Sequence, residues 1–66
     1  MSNQEAAEIL KNHIDTYNYQ LSDGGWAEMV RIGIARPTAR ERAAFMADAT
    51  RQVEAYQMAI KALLGN

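Results

Sequence analysis

Apolar residues recur along this chain in two long stripes separated by a short mixed segment. Ala6, Leu10, Ile14, Tyr17 and Leu21 fall at steps of four, four, three and four. That spacing places them on one side of an α-helix, with Glu5, Glu8, Lys11, Asn12 and Asp15 on other sides. Ser2-Asn3-Gln4-Glu5 reads as a capping box, so the helix is predicted from Asn3 to about Leu21. Phe45, Ala49, Val53, Tyr56, Ile60 and Leu63 repeat the pattern. Thr38-Ala39-Arg40-Glu41 is a second capping box with Pro37 just outside it, and Gly65 suits the position after a helix end. The second long helix is predicted over 39–64. At 1.5 Å per residue the two helices would be about 29 and 39 Å long.

The segment between them is ambiguous. Ser22-Asp23-Gly24-Gly25 is expected to break the first helix, since paired glycines favour turns. Trp26, Met29, Val30, Gly33 and Ile34 fit a helix period, while Val30 to Ile34 also holds β-branched residues suited to a strand. A lone strand would find no partner here. A short helix over about 26–35 is therefore favoured, stopped before Pro37. The expected architecture is all-α: one domain, a helical hairpin with a short middle helix.

Length turns this into an expectation of assembly. A chain of 66 residues buries only about 60% of the surface its unfolded form exposes. It has no Cys for disulfides and a single His, too few ligands for the usual zinc site. Self-association is the remaining support, and 48% apolar residues fit a homo-oligomeric helix bundle. A second row on the last helix, Ala44, Ala47, Ala55, Met58, Ala59 and Ala62, is read together with Ile9 as the oligomer face. The same alanines are also what any stable helix would use. No apolar run is long enough for a membrane span and no signal-peptide pattern is present, so the expected location is the cytoplasm of a host cell.

Charge is spread unevenly. The net charge is −1, which argues against nucleic acid held by bulk charge. Yet Arg31, Arg36, Arg40 and Arg42 stand against one acid, Glu41, between residues 31 and 42. Helix starts attract anions, and Arg grips them with a planar fork. Thr38 would add its hydroxyl beside the free amides of 39–41. Tyr19 and Trp26 bracket the glycine pair and could stack on a base. The candidate ligand-binding residues are therefore Arg31, Arg36, Thr38, Arg40, Tyr19 and Trp26. The competing reading pairs the arginines with Glu28, Asp23 or Asp48 and buries Trp26 in the core. Catalysis is poorly supported, because the one imidazole, His13, has no carboxylate on its own helix face. It reads better as a partly buried or interfacial residue. No cofactor is expected.

Two resemblances bear on function. Residues 4–12 (Gln4-Glu5-Ala6-Ala7-Glu8-Ile9-Leu10-Lys11-Asn12) with 54–63 (from Glu54 to Leu63) resemble small phage and prophage proteins with an "EAIEILKN … EAxxMAIKAL" pattern. These are short helical hairpins, mostly of unknown role, and the likeness covers about a third of the chain, at both ends. The centre, Gly24 to Thr38, departs from it. A fainter similarity links Ala39-Arg40-Glu41 and Ala59-Ile60 to the "SRE … A-I" pattern of phage proteins that sequester nucleotide immune signals, the anti-CBASS and anti-Thoeris sponges. The Ser of that pattern is Ala39 here. That resemblance implies a non-catalytic anti-defence protein whose oligomer boundaries hold a cyclic or modified nucleotide, with Arg40 at the matching position. A small protein-interaction module is the alternative, and a small nucleic-acid binder a further one.

Overall fold

A computed structural model describes residues 1–65. Within them the chain forms three helices and no strand: α1 Asn3–Leu21, α2 Asp23–Arg31 and α3 Ala39–Leu64. Both long helices start where their capping boxes lie. The Ser2 hydroxyl accepts from the Glu5 amide at 3.1 Å, and the Thr38 hydroxyl accepts from the Glu41 amide at 3.1 Å. α3 ends at Gly65, whose left-handed backbone (φ 74°) suits a residue without Cβ.

The middle helix departs from expectation at both ends. It begins at Asp23 rather than about residue 26, and the glycine pair lies inside its first turn. Ser22 alone makes the break. Its amide donates to the Tyr19 carbonyl and closes α1, while its hydroxyl accepts from the Gly25 amide at 3.1 Å and opens α2. Gly25 is needed for approach, not flexibility: a Cβ there would stand 1.8 Å from the Tyr19 carbonyl oxygen. The other end comes at Arg31 rather than 35. Gly33 takes a left-handed conformation (φ 84°), its amide donates to Val30 O at 3.1 Å, and Ile34 N donates to Met29 O at 3.0 Å. This is the Schellman pattern, which ends a helix at its glycine. Ile32 and Ile34 fall outside α2 and are exposed.

α1 and α3 lie side by side in opposite directions. Gln4, Ala7, Glu8 and Lys11 at the start of α1 share a groove with Ile60 and Leu64 near the end of α3. Midway, the His13 ring stacks on Tyr56 (5.5 Å, 17°) and Tyr17 tilts against the same ring. α2 closes the far end, where Trp26 packs on Phe45 at 5.8 Å. Among the described residues the buried apolar ones are Ala7, Ile14, Trp26, Met29 and Ala49, and of these only Ala49 is wholly covered. Met1, Ile9, Tyr19, Ile32, Ile34, Met46, Met58 and Leu64 are exposed. The radius of gyration is 13.9 Å, against roughly 11 Å for a compact chain of this length. On α3 the row read as an oligomer face spans one side of the helix, with Ala59 at its edge. Ala44, Ala47 and Met58 lie on the side of α3 turned away from α1, whereas Ala59 is half-buried near the seam and Ile9 stands on the edge of α1.

Candidate functional site

The segment from Arg31 to Arg42 is made of the end of α2, a loop, and the first turn of α3. Its turn chemistry is local. Thr38 has an extended backbone, its amide donates to Arg36 O at 2.8 Å, and its carbonyl accepts from the Arg42 amide at 3.0 Å. These bonds aim the start of α3 at the side of α2. A shallow groove of about 450 Å³ opens between them, lined by Trp26, Ala27, Val30, Pro37, Thr38, Ala39 and Arg42.

The candidate residues do not all converge on it. Trp26 and Thr38 do, on opposite walls. Arg31 does not: its guanidinium makes a two-pronged pair with Glu28 one turn back on α2, Nε to Oε2 at 3.0 Å. That partner raises the already high pKa of Arg31. Arg36 and Arg40 are exposed and stand outside the groove's lining, as does exposed Tyr19.

The cation that lines the groove is Arg42, which the sequence reading did not place in the site. Its guanidinium lies over the Trp26 ring, 5.9 Å from the centroid, and bonds Asp23 at 2.6 Å. The signal for it was present: Arg42 follows Thr38 by one helical turn and so shares its side of α3. The pairing with Asp23, nineteen residues back, has no such local signature. Among the described residues the ion pairs are Arg31–Glu28 and Arg42–Asp23, so half of the arginine cluster is already engaged by acids.

The groove's chemistry follows from this lining. Trp26 is buried and lines the groove, and Val30, Pro37 and Ala39 make the rest apolar. A flat ring could lie against that wall with its anionic group near Arg42 and the free amides of the α3 start. Such an anion would displace Asp23, whose side chain is 96% exposed and held by little else. Elsewhere, His13 is exposed and stacked on Tyr56, and Asp15 falls on another side of α1. Among the described residues no three His, Cys, Asp or Glu gather as a metal site, and no helix is long and apolar enough to cross a membrane. No known protein family, curated protein or solved structure matches this chain.

Proposed function

We propose that this protein is a non-catalytic binding module that works as an assembly of its own copies, each a helical hairpin braced by α2. The carrying observation is the imbalance of burial. One copy covers five apolar residues, two of them alanines, and leaves eight large apolar side chains exposed. Its accessible surface is 4916 Å², whereas a compact monomer of 7.4 kDa exposes about 4,200 Å². Sedimentation at micromolar concentration tests this reading. A mass above 7.4 kDa supports it and a well-folded single copy ends it.

The groove favours a narrower second reading, in which the ligand is a nucleotide-derived signal held away from its receptor. This is what the resemblance to the sequestering phage proteins implies, and the support is a groove lined by a tryptophan, a helix start and a guanidinium. Arg42 would hold the phosphate and Trp26 would face the base. Arg36 and Arg40, which flank groove residues in sequence, would add charge at the rim. A thermal-shift screen with mono- and cyclic nucleotides checks this, since a ligand at a hundred times its Kd stabilises by about 2.7 kcal/mol. Arg42→Ala should remove the shift and Arg31→Ala should leave it. No shift with any nucleotide retires the nucleotide reading and leaves the assembly reading in place.

A further inference from the structure

The two flanks of the α1–α3 pair are unlike. One carries the groove with Glu8 and Lys11, and by helical period Asp15 on α1 and Lys61 on α3 border that charged side. The other is marked by the His13–Tyr56 stack. On α1 it presents Ala6, Ile9 and His13. On α3 it presents Gln52, Tyr56, Ala59 and Leu63. No Asp, Glu, Lys or Arg lies among these. Ile9 is 45% exposed, His13 is exposed, and Ala6, Tyr56, Ala59 and Leu63 are half-buried, so the strip is apolar and only partly covered.

We propose that the flank carrying Ile9, His13, Tyr56 and Ala59 is where a second copy of this chain docks, the two related by a two-fold axis. This rests on the assembly reading and names its surface. Area supports it: one copy exposes about 700 Å² more than a compact monomer of its mass, close to the ~800 Å² that each partner buries in a stable interface. Charge supports it too. A two-fold contact brings a patch against itself, so any ionised side chain at its centre meets its own kind. Around the His13–Tyr56 pair this flank has no carboxylate, ammonium or guanidinium to repel its copy, and its carboxylate, Asp48, stands two turns away along α3. The outer side of α3 is a poorer candidate, because Arg40, Arg51 and Glu54 lie on or beside it and Met58 is its one large apolar side chain. Small side chains at Ala6 and Ala59 let the helices approach closely, and the His13–Tyr56 pair would sit at the centre of a four-helix arrangement.

Matched lysines test the assignment. Ile9→Lys places a charge on the proposed interface yet suits the helix, since Glu5 lies four residues before it. Met58→Lys places the same charge on the outer side of α3. Sedimentation equilibrium with circular dichroism as the fold check should show the parent at twice 7.4 kDa. Ile9→Lys should dissociate at least about 100-fold more readily, and Met58→Lys less than about threefold. A parent that sediments as one folded copy overturns both this surface and the assembly reading. A parent that assembles while folded Ile9→Lys assembles equally well overturns the surface alone. Should Ile9→Lys lose its helicity, a nitroxide decides, because the chain has no cysteine of its own. A label on Ile9→Cys should be immobilised as concentration rises while one on Met58→Cys stays mobile, and the opposite pattern overturns the proposal.

Discussion

The two ends of this molecule are built from the same helices and finished differently. At the closed end α2 lies against the pair, and Ile14, Trp26, Met29 and Ala49 are buried there. At the open end α1 and α3 have only each other, and Ala7 is the one buried residue. The open end is not less apolar: Leu10, Ile60 and Leu63 all line it half-buried. Two helices in contact cover one stripe each, and a wider apolar face needs a third neighbour. At the closed end the chain supplies that neighbour itself. At the open end nothing among the described residues does, and that is the gap the proposed second copy would fill.

Substitutions can break this contrast, and the largest effect should come from the closed end. Trp26→Ala removes the side chain that joins Phe45 and Arg42, at a cost of about 3–5 kcal/mol. For a chain this small that should abolish the cooperative thermal transition. Ile60→Ala at the open end should cost less than about 2 kcal/mol in a single copy, because the side chain is only half-buried. Equal losses at the two positions would mean that the ends are equally packed.

The paired glycines sharpen the comparison at finer scale. Gly25→Ala drives a Cβ into backbone atoms of Tyr19 and Gln20, which cannot move aside as a side chain would. It should cost about 3 kcal/mol by urea denaturation, the upper end for overpacking. Gly24→Ala meets nothing within 4 Å and should stabilise by up to about 1 kcal/mol. Ser22→Ala lies between them: it removes the cap of α2, worth about 1 kcal/mol.

The smallest effect on stability should come from Asp23→Asn. Its bond to Arg42 is at the surface, with the Arg42 side chain 33% and the Asp23 side chain 96% exposed, so the loss should stay under about 1 kcal/mol. The same change frees Arg42 for an incoming anion. Under the nucleotide reading, phosphate-dependent thermal shifts should grow in Asp23→Asn, and unchanged shifts would place the anion elsewhere.

Signals spanning a turn or less were legible in the residues alone. The two stripes and the capping boxes at Ser2 and Thr38 describe interactions between positions three or four apart, and α1 and α3 stand where those patterns lie. The Gly33 helix stop was legible in principle, since it too is local, but Val30, Gly33 and Ile34 also fit an apolar period that runs through it. The all-helical character, with no strand among the described residues, follows from the same short-range rules. Contacts between elements decided the rest. The register of α2 depends on how closely Gly25 approaches Tyr19, and the make-up of the groove depends on Asp23 meeting Arg42 across nineteen residues. A sequence names which charges exist, but only the packing of helices sets which of them meet, because a guanidinium bonds whichever carboxylate the fold brings within about 3 Å.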